Sequence, residues 1–506
     1  MTLSEVHTWL SHRSKTELYT VCCAIVISAW LSFAIGRHLW LWMQSQCNRN
    51  LWCSIHIHLP RHWKYFLFIS VPRVFSWLDI ASCHQALVVS ILSAANIVVL
   101  TIGADSWATT QRRAGHLAVI HMIPLCTGFN FGFPANLLLV DRQAVAWIHR
   151  WTGRLFLMHS ILHGSLIVSP DKVPLLATPQ YILPITAVGA VIVTVLATWA
   201  PIRQRHPQVA MSIHHLLVAT ATAAIGYHLV ERKYSGRWYL IGAILLWLGF
   251  SLTTCFRSFL AQRSWKGDRR EVILSSSNGL LLLEIVAPPE WSIGPGQYLQ
   301  LWMPHGGLRA FFQLPMFYVA ICDWDDRYPK KTIRMLARPR SGLTAELYRT
   351  VSSGPVHQPV TVLGPYGRPI CLNQYGTVLF VVEDIGLFRV LSLIEMLVNA
   401  SIRREAMVRK LYVLWEHESA LEYPEWWKSW RQRLLDKDHP RFGGYDVRQA
   451  EAGDVGTRVR YCQGSLNIKD ELPQYLDHRL GAMAVASASS LFPHFLSLPH
   501  WSISQS

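Results

Sequence analysis

Charged side chains are scarce in this chain. Of its 506 residues only 15% are Asp, Glu, Lys or Arg, against 51% hydrophobic, a balance that excludes a disordered or heavily solvated polypeptide. Carboxylates are the scarcer sign, with 31 Asp and Glu facing 47 Lys and Arg for a formal charge of +16. No basic helix or aromatic-basic patch accompanies that excess, so nucleic acid is not an expected partner. Lys and Arg instead crowd into loops and the C-terminal half, as cytoplasmic retention and attraction to anionic lipid or cofactor require. The ten cysteines form no CxxC pair, which argues against a zinc or iron-sulfur centre. Most read as small packing residues.

What the chain has in quantity is long apolar runs. Stretches of membrane-spanning length cover about residues 17–43, 84–103, 115–140, 147–168, 181–200, 211–230 and 239–260, which predicts about seven spans. Polar residues Glu5, His7, Arg13 and Lys15 precede the first run, so it reads as an uncleaved anchor rather than a signal peptide. Arg37, Arg49, Arg61, Lys64 and Arg73 follow the first span, Arg142, Arg150 and Arg154 the third, and Arg203 and Arg205 the fifth. The alternate loops carry fewer, among them Arg112, Arg113, Arg232, Lys233 and Arg237. Positive charge therefore places the N-terminus outside and the C-terminal region in the cytosol.

Four histidines stand out within the apolar runs. His149 and His163 are fourteen residues apart, as are His214 and His228. On an α-helix that interval is about four turns, returning to within about 40° of one face after a rise of about 21 Å. Two such helices side by side offer one imidazole each at two levels, the bis-histidine arrangement that holds a b-type haem iron. One span separates the two helices, so they run in the same direction. His149 is then level with His214 near the cytosol, and His163 with His228 near the outer face. His159, one turn before His163, and His215, beside His214, compete; a 13-residue interval from His215 turns by roughly −140° and favours His214. His116 and His121 lack partners at this spacing and read as structural.

Beyond the spans the pattern changes twice. From about 268 to 372, short alternating segments (Glu271–Leu274, Leu280–Val286, Tyr298–Trp302, Val360–Leu363) split by Pro and Gly predict a six-stranded antiparallel barrel. From about 375, Thr377–Val382 reads as a buried parallel strand, Phe388–Ser401 as an amphipathic helix and Lys410–Trp415 as a second strand. Trp426–Arg431 reads as a surface helix.

The run His149-Arg-Trp-Thr-Gly-Arg154 with His159-Ser-Ile-Leu-His163 resembles the signature of fungal ferric-chelate reductases, relatives of the NADPH oxidases. In the same family order follow Gly294-Pro-Gly-Gln-Tyr298, Leu301-Trp-Met-Pro304, Ser341-Gly-Leu-Thr344, Gly364-Pro-Tyr-Gly367 and Leu411-Tyr-Val-Leu-Trp-Glu416. The resemblance implies a multi-domain membrane protein: an α-helical transmembrane dihaem bundle, an antiparallel β-barrel FAD-binding domain and an α/β nucleotide-binding domain of ferredoxin-reductase type. The expected division is an N-terminal anchor and linker at 1–83, the haem domain at 84–262, the flavin barrel at 263–372 and a degenerate NAD(P)-binding domain at 373–506. The implied cofactors are two haems b, FAD and NADPH.

Site residues carry over unevenly. Phe312–Ala320 occupies the place of the family's His-Pro-Phe run, with Pro315 where the His belongs. Resemblance places Phe317, Tyr318 and Val319 beside the flavin, and gives Gly342 and Thr344 to its pyrophosphate; the plain reading is an apolar barrel strand without ligand. The phosphate turn reads Val381-Val-Glu-Asp-Ile-Gly-Leu387, where only Gly386 survives of a glycine-rich loop. Glu383 and Asp384 are expected to repel phosphates there. The family's late Cys-Gly element is replaced by Val485-Ala-Ser-Ala-Ser489. Either NADPH binds through an altered loop or the domain is a remnant.

The expected function is a plasma-membrane, multi-pass metalloreductase in iron transport and metal homeostasis. Electrons would pass from cytosolic NADPH through FAD and two haems to an extracytoplasmic ferric chelate or cupric ion. A dihaem conduit or pseudo-reductase, and a superoxide-producing oxidase, are the alternatives. Membrane lipid is an expected partner; the sequence names no protein partner.

Overall fold

The computed structural model describes residues 15–47, 78–165 apart from 129 and 139, 179–199, 202, 205, 207–263, and most of 271–416. It further describes 425–436, 454–455, 459–460 and 468–488. Within 271–416 the segments 304–312, 325–330 and 340–342 lie outside the description, with 278, 288–290, 292, 368–369 and 371. The chain forms two compact units, one of residues 1–39 and 65–255, the other of 40–64 and 256–506.

The first unit is helical. Helices α1 (Lys15–Cys47), α2 (Cys83–Thr101), α3 (Trp107–Leu125), α4 (Gly132–Leu138), α5 (Arg142–Ser165), α6 (Pro179–Ala197), α7 (Pro207–Glu231) and α8 (Arg237–Arg263) follow one another. Each of the seven apolar stretches overlaps a helix among the described residues. The third does so with a correction: the expected run 115–140 is split into α3 and α4, where Pro124 removes one donor near the end of α3 and Gly128 turns the chain at φ +84°. Among the described residues, four segments have the length and composition to cross a membrane: Thr16–Arg37, Cys83–Thr101, Val209–Glu231 and Arg237–Leu260.

These helices turn large apolar side chains outward, among them Ile25, Ile91, Leu216, Leu245 and Leu252. Such surface suits lipid and opposes water. Three hydroxyls in the runs bond the preceding helical turn, Thr194 to Ala190 O, Thr220 to Leu216 O and Thr253 to Gly249 O, since a donor in hydrocarbon has no water to turn to. Two arginines serve as ties. Arg113 donates to Val99, Ile102 and Gly103 carbonyls at 2.8–3.0 Å, closing the exposed C-terminal end of α2. Arg150 pairs with Asp79 at 2.6 Å, Arg154 donates to Leu78 O, and Trp147 Nε1 donates to Asp79 O. The arginines of the His149–Arg154 run thus hold the segment before α2 on the first turns of α5.

The second unit joins a barrel to a parallel lobe. Strands β1 (Glu271–Ser277), β2 (Leu280–Ala287), β3 (Tyr298–Trp302), β4 (Met316–Trp324), β5 (Lys331–Ala337), β6 (Val356–Pro359) and β7 (Thr361–Tyr366) form one antiparallel sheet in the order β6-β1-β2-β5-β4-β3-β7. Only Val360 separates β6 from β7, yet β6 pairs with β1 and β7 with β3. One continuous segment therefore seals both edges, and the expected six-stranded barrel appears with its last strand divided. Its interior holds Leu274, Leu281, Leu283, Leu299, Leu301 and Met303, all without solvent exposure. Helix α9 (Leu343–Thr350) packs Leu343 and Leu347 into that core.

In the lobe, β8 (Thr377–Glu383) lies between β9 (Lys410–Glu416) and β10 (Met483–Ala488), all parallel. Alternation along β8 decides the layers. Val378, Phe380 and Val382 meet α10 (Gly386–Ile402), while Leu379 and Val381 join Tyr412, Leu414 and Tyr475, the last from α12 (Ile468–Asp477). Burial on both faces is why this strand reads as a continuous apolar run. Helix α11 (Glu425–Asp436) departs from the surface helix expected there. Trp427 and Trp430 are stacked with centroids 5.3 Å apart and buried against Phe388 and Trp415, because the aromatic positions share one helical face.

Candidate functional site: paired histidines and a nucleotide turn

Helices α5 and α7 bring the first predicted pair together. The rings of His149 and His214 lie 6.1 Å apart between centroids, with planes 63° apart. Two metal-imidazole bonds of about 2.0–2.1 Å, with half a ring on either side, put trans imidazoles roughly 6 Å apart. Rotation about such an axis leaves the interplanar angle free. His214 keeps a buried Nδ1 without a hydrogen-bond partner, a cost on the order of 1–3 kcal/mol, while His149 lies within hydrogen-bonding reach of the Leu125 carbonyl. The pair fits an axially ligated haem. His215, the competitor, is exposed and meets His214 edge-on at 5.7 Å; His214 is the one placed against His149.

The second pair is half prepared. His163 Nδ1 lies 2.9 Å from Gln111 O. A carbonyl only accepts, so Nδ1 carries the proton and Nε2 keeps its lone pair for a metal. Room for the ring comes from Gly115 on α3, where a Cβ would stand 2.9 Å from His163 Nδ1. His228 lies within electrostatic reach of His163 and tilts against Tyr234 at 6.0 Å. Sequence reading missed Gln111 and Gly115. A backbone carbonyl leaves no mark in a sequence, and the glycine matters only through the ring opposite it.

His159 departs from its rival role. It is buried, bonds Leu155 O of its own helix at 2.6 Å and stacks on His121 at 5.2 Å with planes 18° apart. His121 does likewise with Leu117 O. Parallel stacking points two Nε2 lone pairs alongside rather than at each other, unlike trans ligation. No cluster of three or more metal-ligating side chains occurs among the described residues.

In the barrel, three predicted flavin neighbours separate by strand alternation. Phe317 and Val319 are 3% and 2% exposed in the barrel interior. Their side chains therefore face the barrel core, on the opposite face of β4 from Tyr318. Tyr318 points outward, edge-on to Tyr298 at 5.6 Å, with the Arg389 guanidinium 3.8 Å from its ring centroid. Thr344 sits half-buried in the first turn of α9. Gly342 lies outside the described residues. Pro315, in the place of the family's His, spends its carbonyl on Leu301 N.

At the lobe, β8 ends at the carboxyl edge of the sheet, flanked on opposite sides by β9 and β10. Open parallel sheets take ligands at such a switch point. Gly386 opens α10 there, half-buried. Asp384 occupies the turn at φ +49°, its Oδ2 2.6 Å from Arg338 Nη1. Glu383 and Glu416 are in register on adjacent strands beside it. Asp384, Glu383 and Glu416 thus put three acidic residues at this sheet edge, a poor fit for dinucleotide phosphates.

No protein-family model matches the chain. Ferric reductase transmembrane component 3 of Saccharomyces cerevisiae is 23% identical over 285 residues, which cover 54% of this chain and 38% of that one. The probable cell surface ferric reductase kap2 of Aspergillus oryzae is 24% identical over 347 residues, covering 63% and 44%. The matches thus span less than half the length of these relatives. Among solved structures, a flavohemoglobin from Malassezia yamatoensis with bound FAD and heme aligns over 79% of this chain and 98% of its own, at 12% identity and a TM-score of 0.33. This chain is a distant homologue of the fungal ferric reductase transmembrane components.

Proposed function

We propose that the protein is a transmembrane metalloreductase carrying electrons from cytosolic NADPH by way of FAD and two b-type haems to an extracytoplasmic ferric chelate or cupric ion. The observation that carries this reading is the 6.1 Å pairing of His149 with His214 across two helices. Homology to ferric reductases supports the acceptor class. Apolar, outward-facing helices support a multi-pass position, with the plasma membrane suggested by the cell-surface relative.

The chain's own residues would divide the work as follows. His149 and His214 would hold one haem iron, and His163 and His228 the other, with Gln111 keeping His163 in the tautomer whose Nε2 can ligate. Haem supplies one-electron chemistry, and flavin converts between two-electron and one-electron transfer. With His149, His214, His163 and His228 as the iron ligands, no position at iron would be left for the acceptor. Tyr318 would border the flavin and Thr344 would meet its pyrophosphate. The expected span count of seven, the cytosolic C-terminus and the division at 1–83, 84–262, 263–372 and 373–506 belong to the same reading.

The acidic turn at Glu383 and Asp384 favours a second reading, a dihaem conduit whose nucleotide lobe no longer serves. A redox difference spectrum of the detergent-purified protein with FAD distinguishes the two. NADPH is expected to bring up reduced b-type bands. Reduction by dithionite alone would leave only the conduit, and a colourless preparation would end both.

A further inference from the structure

Asp384 is not needed to shape its turn. Its backbone N–H donates to Glu416 O at 2.7 Å, and its carbonyl accepts from Trp415 Nε1 at 3.0 Å. Glycine or asparagine at this position could keep both bonds, and either suits a φ of +49° better than or as well as aspartate. The carboxylate itself sits at a cost, because Oδ1 is buried without a hydrogen-bond partner. Its other oxygen meets Arg338 at the end of β5.

The same end of α10 reaches the barrel a second time. Arg389, in the first turn, covers the ring of Tyr318, the outward side chain proposed to border the flavin. Asp384 and Arg389 together fasten the start of α10 to β5 and β4. An anion arriving at the carboxyl edge of β8 would find the neighbouring guanidinium already holding a carboxylate. It would also meet the field of Glu383 and Glu416, paired in register at the edge.

We propose that Asp384 is an internal competitor for dinucleotide phosphates: its carboxylate holds Arg338 and the β8–α10 turn, and NADPH binds only by displacing that contact. Affinity for the nucleotide is therefore set by the strength of the Arg338–Asp384 pair. Arg338 is 43% exposed at its side chain, so water can replace either partner when the pair opens. The inference rests on the proposed reading of α10 as the nucleotide-facing helix, but its readout is binding, not electron flow.

Calorimetric titration of NADPH into the full-length protein in detergent tests it, comparing wild type with Asp384→Gly and Asp384→Asn. Loss of the carboxylate is expected to tighten the dissociation constant about tenfold or more in Asp384→Gly, and in the same direction in Asp384→Asn. Both substitutions suit the left-handed backbone, and unchanged haem content with an unchanged melting temperature checks folding of each. Unchanged or weaker binding in folded variants overturns the proposal, as does the lack of any NADPH binding in all three proteins. Tighter binding without haem reduction would leave the inference standing and remove the reductase function.

Discussion

His149 and His214 stand 6.1 Å apart on α5 and α7, sixty-five residues apart in the chain and ring to ring in the fold. Replacing either by Ala should halve the haem content, leaving one haem per chain. His215→Ala should leave both. A pyridine haemochrome assay on purified protein measures the ratio, and equal haem in all three variants would exclude the pair as ligands.

Gly115 offers a test of the second level. A valine there must displace His163, because even a Cβ stands 2.9 Å from Nδ1. Gly115→Val is expected to lose the haem held by His163 and His228 while keeping the other, so a two-step potentiometric titration becomes one-step. An unaltered titration would show that the ring does not need its present place.

Strand alternation in β4 separates structure from flavin contact. Phe317→Ala removes a core side chain and should lower stability by about 3–5 kcal/mol. Tyr318→Ala should leave the melting temperature nearly unchanged but reduce flavin retained after purification. Fluorescence of flavin released on denaturation provides the comparison; equal flavin in wild type and Tyr318→Ala would remove Tyr318 from the site.

Arg113 caps α2 through charge-assisted bonds to Val99, Ile102 and Gly103 carbonyls. Arg113→Met keeps most of the stem and loses the donors, with an expected cost of about 1.5–3 kcal/mol. Thermal unfolding in detergent checks it. A neutral result would mean that water or lipid headgroups satisfy those carbonyls equally well.

Some of this was legible because the responsible physics is local. The fourteen-residue interval places two imidazoles on one face of any helix, and the continuous apolar run Val378–Val382 requires burial on both sides. Other features had no local trace. Trp427 and Trp430 look like surface aromatics in a basic stretch until Phe388 and Trp415 cover them. Asp384 reads as a phosphate repellent, yet Arg338, forty-six residues earlier, already partly neutralises it.

By itself the sequence determined the helices of the first unit, the barrel and the parallel strands, because apolar period and glycine or proline punctuation act over a few residues. It also determined which histidines could share a face. Tertiary structure alone decided that His214 reaches His149, that His159 turns to His121, and that the Asp384 carboxylate is held by Arg338. Those choices depend on which groups from distant segments arrive at one place, and a carbonyl, a missing Cβ or a guanidinium acts only where packing delivers it.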